Sequence, residues 1–171
     1  MPTYRESGCH IAVPKVQSKV GFVYICPGRH EEKLGKPCAG QTGVMLESAL
    51  LLLHAKKPEI FWSAERQHYL ITNAWPHVEY KKKTDRSVPL VSEISSHENL
   101  EGLYHEIKLL RYIVACGNLA HVAVDRCRKA FHLESIVAKV SHTSRQALGC
   151  PTNTVLPIRL DKWACSVIKQ F

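Results

Sequence analysis

The chain has 171 residues, of which 45% are hydrophobic and 22% are charged, the balance of a globular protein with one domain and its own core. Its net charge of +8 points to a polyanion or a membrane surface as partner. No apolar run is long enough to span a bilayer, and the N-terminus lacks the basic-then-apolar layout of a signal peptide. The seven cysteines form no Cys-x-x-Cys pair, which argues against a zinc ribbon or a disulfide framework and favours a reducing cytoplasm.

The first predicted element is a buried strand over residues 19–25, whose apolar residues show little polar alternation. A loop rich in glycine and proline follows within residues 24–43, and residues 42–55 are predicted to form a helix. A strand, a rigid loop and a helix in this order are how α/β proteins build a site at the carboxyl end of a sheet. The glycine-rich loop is therefore the first candidate site.

Three more strands are predicted at residues 68–74, 112–116 and 135–140, with helices at 99–111, 119–128 and 162–170. Residues 75–92 form a long polar connection of the kind that often carries function. The alternation of strands and helices predicts an α/β fold: a three-layer α/β/α sandwich with a central four-stranded parallel sheet, in a single domain over residues 1–171. Asn73 and His142 then lie at strand ends near the glycine-rich loop.

The motifs at these strand ends resemble the uracil-DNA glycosylase superfamily, and most closely its family 4 branch. The His-Pro-Ser-type motif is represented by His142-Thr143-Ser144, and Asn73 ends the second strand as the family's Asn does. The resemblance covers roughly residues 19–150. The spacing of the family's first motif is reproduced by Pro27, Gly28, Glu31, Glu32, Gly35, Lys36, Pro37, Gly40 and Gly43.

The sequence departs from family 4 in several places. Family 4 enzymes hold an iron–sulfur cluster with four cysteines, and this chain lacks the N-terminal pair and the cysteine expected after Asn73, so we expect no cluster, metal or other cofactor. Ile25 stands where family 4 has Glu, and Cys26 stands where other branches have Asp or Asn. Cys38 replaces the aromatic ring that stacks on the base, which forfeits about 1–3 kcal/mol of stacking and enlarges the pocket.

The resemblance implies roles for the remaining motif residues. His142 would stabilise negative charge on the leaving base, and Glu31 or Glu32 would stabilise the sugar cation or orient water. Asn73 would read the edge of a flipped base in a pocket that also includes Ile25, Cys26 and Cys38. The DNA backbone would be held by Gly28, Lys36, Ser144 and Arg145, and the vacated stack would be filled by Arg145, Gln146 or Leu148.

These roles predict a monomeric, monofunctional DNA glycosylase that leaves an abasic site. Its substrate is either uracil in DNA or a bulkier pyrimidine such as glucosylated hydroxymethylcytosine of phage DNA, which would make the protein a phage-defence enzyme. The altered pocket favours the second. Two other readings stay open: a catalytically inactive DNA-binding module, and a hydrolase of free nucleotides, which the positive charge disfavours.

Overall fold

The computed structural model describes residues 8–149 and 155–171. Its centre is a four-stranded sheet in the order β2-β1-β3-β4, in which all three strand pairings are parallel. The strands are β1 (Val20–Tyr24), β2 (Leu70–Asn73), β3 (Tyr112–Cys116) and β4 (Ile136–Val140). The predicted parallel sheet is confirmed: β1 and β2 are buried along their whole length and β3 is buried except at Tyr112, while the edge strand β4 exposes Ile136 and Lys139.

Seven helices surround the sheet in the described ranges: α1 (Arg29–Leu34), α2 (Gln41–Lys56), α3 (Lys81–Thr84), α4 (Val91–Ile94), α5 (His97–Ile107), α6 (Asn118–Phe131) and α7 (Leu156–Ile168). Helices α2 and α7 share one buried core with Phe22 and Tyr24 of β1. Helices α4, α5 and α6 share the other with Val23, because successive strand side chains point to opposite faces. The three-layer α/β/α arrangement is therefore confirmed. None of the helices described is both long and apolar enough to cross a bilayer.

The main differences from the predicted elements are short helices in stretches predicted as loops. Helix α1 lies inside the glycine-rich loop and ends at Gly35 in the left-handed conformation. Helix α3 consists of three consecutive lysines, Lys81 to Lys83, and Thr84. It is held against Glu32 of α1 through Lys83 and Tyr80. Such one-turn helices have no periodicity to detect and depend on tertiary contacts. The last helix begins at Leu156 rather than residue 162, since a proline is acceptable in its first turn.

The strand order places a topological switch between β1 and β3. The chain leaves β1 toward β2 on one side and returns to β3 on the other, which opens a crevice at the carboxyl ends of these strands. Gly117, which follows β3, has a φ of +98°, and a Cβ there would lie 3.0 Å from Ile25 Cδ1 and 3.7 Å from His142 Cβ. Three loops, after β1, β3 and β4, therefore meet at this point.

We expect Gly43→Ala to destabilise the protein by about 1–3 kcal/mol, as overpacking does. A Cβ at this position in α2 would lie 1.9 Å from the Cys38 carbonyl oxygen and 2.1 Å from Arg66 Nη1, so the loop backbone would have to move. The clash opposes the ~1 kcal/mol by which a helix favours alanine over glycine. Urea denaturation measures the effect. Gly8→Ala is the matched control, because a Cβ at Gly8 meets nothing within 4 Å. Equal stability of both variants would contradict this packing.

Candidate active site

The Glu31 carboxylate closes the loop between β1 and α2. Its Oε2 accepts the backbone N–H of Gly28 at 3.1 Å, and its Oε1 accepts that of Ala39 at 3.0 Å. The two bonds join the beginning of the loop to its end, and the acid also lies in the first turn of α1, where a negative charge is favourable. Both carboxylate oxygens are therefore committed to backbone donors.

The neighbouring Glu32 faces outward. Its carboxylate accepts the Tyr80 hydroxyl at 2.8 Å and pairs with Lys83, so it joins α1 to α3 at the surface. These bonds lower the pKa of Glu32, with the Lys83 contact as the main cause. The two adjacent acids, which the sequence left as equivalent candidates, thus have different environments.

His142 lies just after β4, partly buried at the crevice. The backbone N–H of Ser144 donates to its Nδ1 at 3.1 Å, so Nδ1 is an acceptor and the proton of the neutral ring is on Nε2. Burial lowers the pKa of His142 below its ordinary value of 6.5, against an opposing effect of the Glu31 charge. At neutral pH the side chain is therefore a neutral imidazole that can donate from Nε2.

The backbone that carries His142 is held on both sides. The Gly117 N–H donates to the carbonyl of Val140 at 2.8 Å, which extends the pairing of β3 and β4. The Trp163 indole N–H donates to the Ser141 carbonyl at 2.9 Å from α7. Preorganisation of this kind keeps a donor in place without reorganisation during a reaction.

The family model described as the Uracil DNA glycosylase superfamily matches residues 11–155. The chain belongs to this superfamily. The match covers both the glycine-rich loop and the His142 segment, so the fold and the family resemblance inferred from the motifs are confirmed. No curated protein matches the chain.

This superfamily member has no metal-binding cluster among its described residues: nowhere do three His, Cys, Asp or Glu side chains come together as ligands. The absence of the four-cysteine cluster of family 4 stays a prediction. Cys150 lies outside the described residues. The assignment to the family 4 branch stays a prediction.

Tyr24 is a site residue that the sequence analysis missed. Its side chain is 2% exposed, and its hydroxyl lies 3.0 Å from Thr143 Oγ1. The thiols of Cys38 and Cys116 are close enough to this hydroxyl to affect its acidity. Cys38 is 5% exposed and its thiol lies close to the Tyr24 hydroxyl, so the structure does not support an enlarged pocket at this position. An apolar strand residue gave no signal for this role.

The two cysteines of the predicted pocket are neutral thiols. Burial is the main cause that raises the pKa of Cys26 and of Cys38 to about 12. Cys26 donates to the Ser87 carbonyl at 3.8 Å, and Cys38 is in the left-handed region with a φ of 51°. Neither thiol is suited to act as a nucleophile or base near neutral pH. Ile25 packs beside Gly117 in the core of the α5 and α6 face.

Asn73 ends β2 as predicted, but its side chain contacts the chain segment before β1. Its Nδ2 donates to the His10 carbonyl at 3.0 Å, and the residue is 3% exposed. That segment is tied to β2 by an antiparallel bridge between Ala12 and Ile71. Asn73 therefore anchors residues 10–12 in this structure, and its reading of a base stays a prediction.

The long connection after β2 is held against the glycine-rich loop by a buried acid. The Glu79 N–H donates to the Pro27 carbonyl at 2.9 Å. Arg86 binds the Glu79 carboxylate with two nitrogens and also binds Glu93, and this pairing lowers the pKa of Glu79 to about 2. The indole N–H of Trp75 donates to the same carboxylate. The sequence did not predict this pairing, because an acid seven residues before an arginine has no sequence signature.

The residues predicted to hold DNA or to fill the vacated stack have different environments. Ser144 organises its own loop, since its Oγ accepts the Ala147 N–H at 3.3 Å. Arg145 is partly buried, and its Nε has no hydrogen-bond partner within the described part of the chain. Lys36 is exposed beyond α1. Leu148 is 7% exposed and packs in the core, so it does not offer the exposed side chain needed to fill a vacated stack.

We expect Glu31→Gln to lower the free energy of unfolding by about 1–3 kcal/mol. An amide keeps one acceptor oxygen but turns an NH₂ toward the second backbone donor, so one of the two loop-closing bonds is lost. Glu32→Gln is the matched control and should change stability little, as exposed ion pairs do. Urea denaturation of both variants tests the difference. A larger loss for Glu32→Gln would contradict the assignment.

Proposed function

We propose that this superfamily member is a monofunctional DNA glycosylase that flips a pyrimidine base out of DNA and hydrolyses its N-glycosidic bond, leaving an abasic site. The observation that carries the proposal is the His142 imidazole, which is neutral, accepts the Ser144 N–H at Nδ1 and bears its proton on Nε2. Membership of the superfamily supports a glycosylase-type activity on DNA.

In the proposed reaction the C1′–N1 bond breaks and its electron pair goes to the base. Negative charge then builds on the base O2, and the Nε2–H of His142 donates to it. Water adds to C1′ of the resulting sugar cation and loses a proton, and the departed base anion takes up a proton. The reaction thus consumes one water and needs no cofactor.

Glu31 acts in this proposal as a fixed negative charge and not as a general base. Both of its oxygens accept backbone N–H groups, which leaves it poorly placed to remove a proton from water. Its charge acts on the His142 ring and raises the pKa of that imidazole against the effect of burial. In this proposal the same fixed charge stabilises the sugar cation. Glu32, paired with Lys83 and Tyr80 at the surface, is the weaker candidate.

Exposed cations beside the crevice support DNA as the partner. Helix α3 carries Lys81 and Lys82 on the surface and is attached through Lys83 to α1. Helix α1 and the turn after it present Lys33 and Lys36. Cations at this position would neutralise backbone phosphates and make the binding of DNA depend on salt. The binding of a small free nucleotide, which has fewer phosphates, would depend on salt less.

Uracil is the substrate that we favour. The case for a larger modified cytosine depended on space at Cys38, and this residue is 5% exposed with its thiol close to the Tyr24 hydroxyl. The second candidate, a modified pyrimidine of phage DNA, now depends on the apolar character of Ile25 and Cys26 alone. Abasic-site formation distinguishes the two candidate substrates. It is measured on a panel of DNAs that contain uracil in single and double strands, hydroxymethylcytosine or glucosylated hydroxymethylcytosine.

We expect His142→Ala to slow base release by roughly a hundredfold to a thousandfold, the usual loss for one such donor, while DNA binding is kept. Single-turnover abasic-site formation measures the rate, and a binding titration measures affinity. His105→Ala, an exposed histidine on α5, is the matched control and should be as active as the wild type. Tight binding by a wild type that releases no base from any substrate of the panel would favour the inactive binding module.

We expect the rate constant of base release to be level from about pH 7 to about pH 8 and to fall only below the ordinary histidine value of 6.5. Because burial lowers the pKa of His142, the ring is protonated only at a lower pH than an ordinary histidine. A proton on Nδ1 would also displace the Ser144 N–H. Single-turnover rates across this range test the sign. A rate that falls as the pH rises through 6.5 would show that an imidazolium is the active form.

A further inference from the structure

We propose that Tyr24, the last residue of β1, is a positioning residue for His142: it holds the imidazole ring and the loop that follows β4. The role of His142 in base release depends on the proposed function, but the contact itself does not. No role was predicted for Tyr24, since it is one residue of an apolar, buried strand.

Tyr24 contacts two consecutive residues of the His142 loop. Its ring meets the His142 ring edge to face, with centroids 5.1 Å apart and an interplanar angle of 77°. Its hydroxyl lies 3.0 Å from Thr143 Oγ1, and the Thr143 hydroxyl donates in turn to the Thr42 carbonyl at 3.4 Å in α2. Because the Thr143 proton is used there, the Tyr24 hydroxyl donates to Thr143. The chain of bonds joins β1, the His142 loop and α2.

Both hydroxyls of this pair are shielded from solvent. Tyr24 is 2% exposed and Thr143 is fully buried, so neither hydroxyl can exchange its protein partner for solvent without opening the core. Edge-to-face aromatic contacts have a preferred geometry, which restrains the ring orientation of His142. The Ser144 N–H restrains the same ring at Nδ1. Together the two contacts define the direction of the Nε2–H.

The same ring limits what can enter beside His142. Tyr24 lies between His142 and the thiols of Cys38 and Cys116 on the face of the sheet covered by α2 and α7. Removing the ring would open space next to the imidazole and raise the pKa of His142 toward its ordinary value, because burial is what lowers it.

The test is a cycle of Tyr24→Phe, Thr143→Val and the double variant, with Thr143→Ser as the conservative replacement. Each single change removes one hydroxyl and keeps the volume. We expect a loss of roughly tenfold to a hundredfold in the single-turnover rate constant for either change, as for other small misplacements of a catalytic group. The bond between Tyr24 and Thr143 is broken in all three variants, so the loss in the double variant should be smaller than the sum of the two single losses. Thr143→Ser keeps the hydroxyl and should stay near the wild type.

The readout that separates positioning from general stability is the ¹⁵N NMR spectrum of the histidine rings. The His142 signals are assigned by their absence in His142→Ala, and their titration gives the tautomer and the pKa. We expect shifted His142 signals in Tyr24→Phe and Thr143→Val. Tyr69→Phe is the matched control: Tyr69 is 1% exposed and its hydroxyl donates to the Ser63 carbonyl, so its loss should leave His142 unchanged.

The outcomes distinguish this inference from the proposed function. Shifted His142 signals in a protein whose wild type releases no base would support the role of Tyr24 and reject the glycosylase. Unshifted His142 signals in both single variants would overturn the role of Tyr24, whatever the rates. If Tyr24→Phe does not fold, Thr143→Val carries the test, because it breaks the same bond from the other side.

Discussion

The two hydrogen bonds of the Glu31 carboxylate are the constraint on which the site depends. They close the loop between β1 and α2, and the close approach of α2 to the end of this loop is possible only because Gly43 has no side chain. Once the loop is closed, its negative charge lies beside the crevice between β1 and β3. A charge held in place in this way needs no reorganisation to act on a developing cation, which is the main physical advantage of a folded site over water.

The other half of the site comes from the end of β4. The sheet, α7 and Tyr24 hold three consecutive residues, Ser141, His142 and Thr143, by one contact or more each. The candidate site is thus made from two loops of opposite character: one closes around the Glu31 carboxylate, and the other presents the neutral imidazole of His142. Burial keeps His142 neutral even though a carboxylate is near, because desolvation of the imidazolium outweighs the attraction.

The substitutions relative to the family's motifs become intelligible only in three dimensions. Cys38 by itself indicates the loss of a stacking ring and a larger pocket, yet this residue is 5% exposed and its thiol lies close to the Tyr24 hydroxyl of β1. Asn73 keeps the residue type and the position at the end of β2, yet its amide is bonded to the His10 carbonyl. The motifs therefore indicate which loops come together, but they do not predict the contacts of each side chain.

By itself the sequence determined the α/β class, the four strands and the loops that follow them at the carboxyl edge of the sheet. Each strand is a short apolar run with turn residues at its end, and such local patterns are sufficient to place it. The roles of Tyr24, Glu79 and Arg86, and the difference between Glu31 and Glu32, were decided by the tertiary structure alone. Their partners are distant in the chain or on different elements: Tyr24 and Thr143 are 119 residues apart. No local pattern encodes such a contact, because it arises only when the parallel strands bring their carboxyl ends to one edge of the sheet.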